Sequence, residues 1–460
     1  MIRALLGVLL LGAFCTPGLT AQQGKRCLLK VDNVDREGFL SEPIPGNTNY
    51  FAGGNVRLSC AGQDVRLGGD SLASLGGNVV ILITKAFYRD ATVSLTADTI
   101  TYFKTNGELM QARGHVVVRN LKTGSNIVGP SVDYARAVTG VRPEAEMTAL
   151  QRPTLKYLPA RGPKDTAVAS PYLIVGDRLR GIGDSKFYGY GNVTVDRDSL
   201  HGTGDSLVYL AGRGGAASLF GRPAQLRRTS SDSFTVRGKE VRLGLDDDVL
   251  RDVRAFGDGE VLNGSSRIKG ENVVLAFTSE KLSRTLAWDR QHPATVHNEG
   301  YDIKGDSIAI DTPGEKLREL RVFRRGMVQN PLDTTAARVA AADTSNKTPR
   351  DRDTLWGERI VASFEQVDSA GVEKTRIRRI EAIGSAKSLF SRNVTKNGKT
   401  SPSVNYTRAD TILVLMKGGD STGVSAVRAH GTIDGVQLET ASLRKSKADS
   451  SKVALPGKRP

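Results

Sequence analysis

The chain has 460 residues, enough for two or three ordinary domains or for one extended repeat array. Only 6% of its residues are aromatic while 50 are glycine, which argues against a compact globule built on large rings and for a turn-rich all-β chain. The net charge of +16 suits partners carrying phosphates or acidic sugars, and five histidines without a CxxC pair leave little material for a structural zinc site.

In chain order, Met1 and Arg3 precede an apolar run from Ala4 to Phe14, followed by Pro17, Gly18 and "LTA" ending at Ala21. Residues 1–21 read as a secretory signal peptide. The run is shorter than the roughly 20 apolar residues of a membrane-spanning helix, and no later segment qualifies. Cys15 follows Phe14, a poor residue before a lipid-modified cysteine, so a lipoprotein is not expected. Export leaves Cys27 and Cys60 as the thiols of the mature chain. They either pair as a disulfide or sit as two small buried side chains, and the sequence leaves both open. His292 and His297, five apart, would fall on opposite faces of a strand, so no metal is expected.

From there on one pattern recurs about every thirty residues: a small residue, a polar one, a variable one, then two apolar residues separated by one. It is "GDSLAS" at Gly69, "ADTITY" at Ala97, "GPSVDY" at Gly129, "GDRLRG" at Gly176 and "GDSLVY" at Gly204. It continues as "GKEVRL" at Gly238, "GENVVL" at Gly270, "GDSIAI" at Gly305, "GERIVA" at Gly357 and "ADTILV" at Ala409. Longer gaps coincide with polar or proline-containing inserts at 158–171, 331–354 and 391–404. A second arm reads glycine, any residue, valine, any residue, apolar: "GNVRL" at Gly54, "GNVVI" at Gly77, "GHVVV" at Gly114 and "GNVTV" at Gly191.

Alternation over such short runs is the mark of half-buried strands, because successive side chains point to opposite faces. The first arm places Ile100, Tyr102, Leu207, Tyr209, Val241, Leu243, Val273, Leu275, Ile308, Ile310, Ile412 and Val414 inward. The second arm adds Val56, Leu58, Val79, Ile81, Val116, Val118, Val193 and Val195. Arg57, Arg119, Asp196, Arg242, Arg376 and Arg378 take outward positions. Stretches such as "KTNGEL" from Lys104 and "TPGEKL" from Thr312 carry turn chemistry, so each unit is a strand, a turn and a returning strand. One such hairpin cannot bury its own apolar face, so about ten of them must stack into a common core.

The "GNV" arm after "L-x-A-x-G", seen whole in "GELMQARGHVVV" from Gly107, and the "A-D-x-I-x-Y" arm before it resemble the OstA-like family. That family includes the periplasmic lipopolysaccharide-transport proteins LptA and LptC and the N-terminal domain of the translocon LptD. The resemblance is strongest over about residues 46–149 and 172–210. It implies an elongated β-jellyroll, or folded sheet, whose seam holds acyl chains while the headgroup stays at the rim. It also implies a periplasmic place, with an association with the outer membrane, and edge-to-edge stacking with other members into a bridge between the membranes. The chain departs from the pattern by its length, by lacking a retained N-terminal membrane helix, and by ending without a large barrel.

On that resemblance the inward residues named above become the lining of a lipid groove for lipopolysaccharide or a similar envelope glycolipid. The alternative is that they close on each other as the dry core of a non-enzymatic scaffold. Lys374, Arg376, Arg378 and Arg379 form the basic cluster best placed for an anionic headgroup. The tail 441–460, with Arg444, Lys445 and Lys447, reads as basic and disordered. Nucleic acid is not an expected partner, because stacking platforms are scarce and the chain carries an export signal. The organisation expected is 1–21 signal, 22–157, 172–330 and 355–440 repeats, 331–354 polar linker and 441–460 tail.

"GDSL" at Gly69 and Gly204, with "DRQH" at Asp289, resembles the nucleophile and distal Asp-x-x-His of the GDSL esterases. The serine slot is filled in other units by Thr99, Arg178, Glu240 or Asn272, which no catalytic nucleophile tolerates. No enzyme and no cofactor are expected.

Overall fold

The structure, a computed structural model, describes residues 27–439 apart from 106, 160–169, 213, 231–232, 247–248, 299–300, 330–352, 370–371, 397–398 and 418–423. The expected signal peptide, most of the 331–354 insert and the basic tail lie outside the described residues. The rest forms 28 strands and one short 3₁₀ turn, Pro313–Glu315, so the fold is all-β. Antiparallel hairpins recur along it. Strand Val93–Phe103 returns as Leu109–Asn120, setting Leu95 opposite Val118 and Ile100 opposite Ala112.

Alternate strands break register at a two-residue bulge. In the first half of the chain it falls between Gly53 and Val56, Ile83 and Ala86, Arg113 and Val116, and Tyr190 and Val193. Further on it falls between Phe256 and Gly259, Phe323 and Gly326, and Ile383 and Ala386. Both bulged residues are left-handed in each case, as at Gly114 and His115 or Arg324 and Arg325. Two successive left-handed residues bend a strand sharply.

The bend explains the repeated acidic residue. His115 Nδ1 lies 2.8 Å from Asp98 Oδ2, Asn192 Nδ2 donates to Asp177 Oδ2 at 2.9 Å, and Arg325 Nε donates to Asp306 Oδ1 at 2.6 Å. In "GKEVRL" the signs are exchanged, and Lys239 of the motif pairs with Asp258 of the bulge at 3.0 Å. A polar residue on one strand therefore brackets the bend of the next, and either charge serves. The small residue before it answers to a different constraint, close approach. A Cβ at Gly204 would come within 2.8 Å of the Phe220 carbonyl oxygen, and one at Gly270 within 3.0 Å of that of Trp288.

Contacts group the chain into two units, Met1–Gly221 with Leu245–Asp248, and Arg222–Gly244 with Val249–Pro460. The division falls inside the expected 172–330 segment. In unit 1 each bent strand contributes to two apolar faces. One carries Leu82, Ile100, Tyr102, Ala112, Val132, Leu207 and Tyr209; the other carries Val56, Leu58, Tyr88, Leu95, Val116 and Ile174. All of these are at most 4% exposed. Burying one such side chain stabilises by about 1.5–3 kcal/mol.

The two faces pack on each other. Tyr88 and Tyr134 belong to opposite faces and to strands three apart in pairing order, yet their ring centroids are 6.2 Å apart. In one flat sheet, strands three apart are separated by about 14 Å. Unit 2 repeats the arrangement. Phe234 precedes and Phe277 follows the bend on their own strands, and the rings meet at 5.8 Å.

Two expectations change. Gly76 and Gly77 form a hairpin turn, and the bend of that strand lies at Thr84 and Lys85. Val80 and Leu82, 2% and 0% exposed, therefore face inward, while Val79 and Ile81 take the opposite face. Reading "GNVVI" as a bend arm shifts the pattern by one residue, and a one-residue shift reverses every side chain. The stretch 391–404 is no insert. Ser391 through Lys396 pair with Lys399 through Val404, prolonging the hairpin of Val372–Lys396 and Lys399–Met416.

Candidate functional site: the interior seam and its mouth

The space between the two faces of unit 1 is the candidate site. The bends close it along one side by backbone, and the opposite side, the mouth, is closed by side chains. Tyr157 and Tyr172 come from one face and Phe187 and Tyr209 from the other. Tyr157 meets Phe187 at 5.0 Å and Tyr209 at 5.3 Å, and Tyr172 meets Tyr209 at 5.5 Å. The Arg197 guanidinium stands 4.5 Å over the Tyr172 ring. Tilted aromatic pairs of this kind contribute about 0.5–1.5 kcal/mol each beyond their burial.

Toward the N-terminal strands the mouth is latched by polar groups. Glu108, 4% exposed, forms an ion pair with Arg136 at 2.8 Å and accepts the Cys27 backbone N–H at 3.0 Å. Arg136 also donates to Gln63 Oε1 at 3.0 Å, which joins one face to the other. Cys27 and Cys60 form a disulfide, with Cα atoms 5.1 Å apart. It fastens the first strand, Leu29–Asn33, to Asn47–Cys60. Burial pushes the Tyr102 phenol well above its ordinary range, and the nearby Glu108 carboxylate adds to the shift. Burial likewise raises Tyr88, whose hydroxyl donates to Asp90 at 2.9 Å.

The inward residues named from the sequence divide as follows. Val56, Leu58, Ile100, Tyr102, Val116, Val118, Val193, Leu207 and Tyr209 are buried in unit 1. Val241, Leu243, Val273, Leu275, Ile308, Ile412 and Val414 are buried in unit 2. Val195 and Ile310 are half-buried. Of the basic cluster, Arg376 donates to Glu365 Oε1 at 2.7 Å, and Arg378 and Arg379 are exposed. The Lys374 side chain lies outside the described residues.

Of the residues that close the mouth, Tyr209 was read from the sequence as inward, whereas Tyr88, Tyr134, Tyr157, Tyr172 and Phe187 went unread, although a signal was there. Tyr88, Tyr134, Tyr157 and Tyr209 each stand at the end of an alternating inward series, the position farthest from the bend. The Glu108–Arg136 pair carried no such signal, since it joins two turns through space.

Catalytic groupings are not assembled at the esterase-like motifs. Ser71 and Ser206 sit in paired strands opposite Ile83 and Tyr190, and among the described residues neither hydrogen-bonds a histidine. Asp289 caps a turn, accepting the Gln291 and His292 backbone N–H groups at 2.8 and 2.9 Å. Among the described residues no cluster of three or more His, Cys, Asp or Glu could hold a metal. No described helix is long and apolar enough to cross a membrane.

No family model matches the chain, and no curated protein matches it. Among solved structures it is similar to LptH from Pseudomonas aeruginosa, the LptA-homologous periplasmic component of the lipopolysaccharide transport device. The two share 17% identity over 26% of this chain and 83% of LptH, with a TM-score of 0.23.

Proposed function

We propose that this chain is an exported periplasmic protein that holds the acyl chains of an amphipathic envelope lipid, lipopolysaccharide first, between its two apolar faces. In this reading the hairpins form a jellyroll-like repeat that serves in a bridge between inner and outer membranes. The observation that carries it is the asymmetry of the seam. One side is backbone and cannot part, while the mouth is held by side chains such as Tyr157, Tyr172, Phe187 and Tyr209. Each methylene moved into such a space gains about 0.8 kcal/mol, so one or two methylenes offset an aromatic pair that separates on opening. The charge of +16 favours anionic headgroups at the rim, with Arg378 and Arg379 exposed to receive them.

A second reading is a scaffold whose core stays shut. It is favoured by the complete burial of Val56, Leu82, Ile100 and Val273, each 0% exposed. Among the described residues the last strand, Asp434–Glu439, pairs on one side alone, with Lys399–Met416, and Val436 and Leu438 are 54% and 65% exposed, so its other side is an edge open to a partner strand.

Photocrosslinking amino acids at Tyr102, Tyr209 and Val273, installed in cells, separate the two. Lipid adducts at these inward positions are expected. Adducts to protein alone, or none in chains that fold normally, would sink the carrier and leave the scaffold.

A further inference from the structure

Unit 2 carries an open depression of ≈ 510 Å³ beside its row of bends, within the size range of small-ligand sites. Its walls include Arg325, Trp356, Lys387 and Tyr406, from four neighbouring strands. Its floor is the bare backbone of Gly326, Gly357 and Gly384. The bends account for the glycines: a Cβ at Gly326 would lie 2.9 Å from the Gly357 carbonyl oxygen, and Gly384 has φ +77°. They do not account for what surrounds them.

Trp356 alternates with Leu355, which is 4% exposed and faces the core, so the indole lies on the outer face. Lys387 is directly opposite Trp356 on one side and Arg408 on the other. Cross-strand partners share a face, and like charges directly opposite destabilise a sheet. Lys387 and Arg408 are both exposed, and among the described residues neither has an ion-pair partner. Arg325, by contrast, is held by Asp306 at 2.6 Å. Arg408 has Asp434 directly opposite on its other side, so Lys387, set against the Trp356 ring, is the cation that its cross-strand neighbours leave uncompensated.

We propose that this outer depression binds a phosphorylated sugar. Trp356 and Tyr406 offer amphipathic rings to the sugar face, Lys387 offers a charge-assisted hydrogen bond to the phosphate, and Arg408, opposite Lys387 just outside the lining, adds positive charge beside it. Glu358 and Ser385, at the same rim, are placed to accept and donate hydrogen bonds to hydroxyls. This site is separate from the seam, and its failure leaves the seam reading untouched.

The test uses the full mature chain with Trp288→Phe, so that Trp356 is the only remaining indole. Its fluorescence is titrated with glucose 6-phosphate, glucose, inorganic phosphate, and lipid A in detergent micelles against detergent alone. Saturation by glucose 6-phosphate, at least about tenfold tighter than by glucose or phosphate, supports a free phosphorylated sugar as ligand. Saturation by lipid A micelles only supports a lipid headgroup as its source. In either case Lys387→Gln with Arg408→Gln, two exposed changes, must weaken binding about tenfold or more with the circular dichroism unchanged. No saturable response to either ligand, equal binding of phosphate alone, or indifference to the double substitution would overturn the proposal.

Discussion

Units 1 and 2 enclose their interiors with the same bends but hold their mouths differently. Unit 1 uses a buried Glu108–Arg136 pair, to which the disulfide-anchored Cys27 donates its N–H, and the rings of Tyr88, Tyr134, Tyr157, Tyr172, Phe187 and Tyr209. Unit 2 has the Phe234–Phe277 contact, and then aliphatic side chains such as Ile303, Leu320, Val328 and Leu355. Its ion pairs gather on two carboxylates: Glu260 is approached by Arg237, Arg267 and Lys269, and the buried Asp252 lies between Arg251 and Arg254. One architecture can thus be latched or left to hydrophobic contact alone. Opening unit 1 must break directional contacts such as the Glu108–Arg136 pair and the Cys27 N–H bond to Glu108, whereas opening unit 2 separates mainly apolar side chains, which an incoming acyl chain covers again.

Both tryptophans, Trp288 and Trp356, lie in unit 2, so tryptophan fluorescence follows that unit while the near-ultraviolet tyrosine signal is weighted to unit 1. The strongest effect is expected of Tyr209→Ala, about 3–5 kcal/mol for removing a fully buried ring. In urea the tyrosine transition should move to lower denaturant and the tryptophan transition should stay. If the two move together, the units unfold as one and the contrast between them fails.

Replacing Cys27 and Cys60 by serine is expected to cost about 3–4 kcal/mol, from the entropy of an open loop of separation 33. The same pair of signals reads it, and reduction of the unmodified chain should reproduce it. A loss confined to the tryptophan signal would contradict the assignment of the latch to unit 1.

A weaker effect concerns unit 2 and acid. Burial pushes the Asp252 carboxyl up, but hydrogen bonds from Arg254 and Arg251 outweigh it and leave the group below its usual value. A carboxylate depressed in the folded state adds stability that is present above its unfolded pKa, about 3.9, and lost as pH falls through the folded value. The tryptophan transition should therefore weaken below about pH 4. Asp252→Asn should flatten that dependence, and an unchanged acid slope would remove Asp252 as its source.

The strand pattern was legible because alternation needs only local sequence. Inward positions such as Ile100, Val116, Leu207 and Val273 follow from the two-residue repeat of any strand with one wet face. Val79 and Ile81 escaped it because a "GNV" can be a turn or a bend, and the two differ by one residue in phase. That choice depends on where the neighbouring strand bends, at Thr84 and Lys85, which carry neither glycine nor asparagine to mark it.

Local sequence was enough to dictate an all-β chain of recurring hairpins, since periodic apolar residues and turn glycines act within a few residues of one another. The bracketing of each bend by a charge, the closing of the mouth by rings from opposite faces, and the pairing of Glu108 with Arg136 arose only in the folded molecule. The reason is physical: these contacts join strands whose separation in the chain is set by hairpin length, so their partners meet only after the strands have bent and the faces have closed.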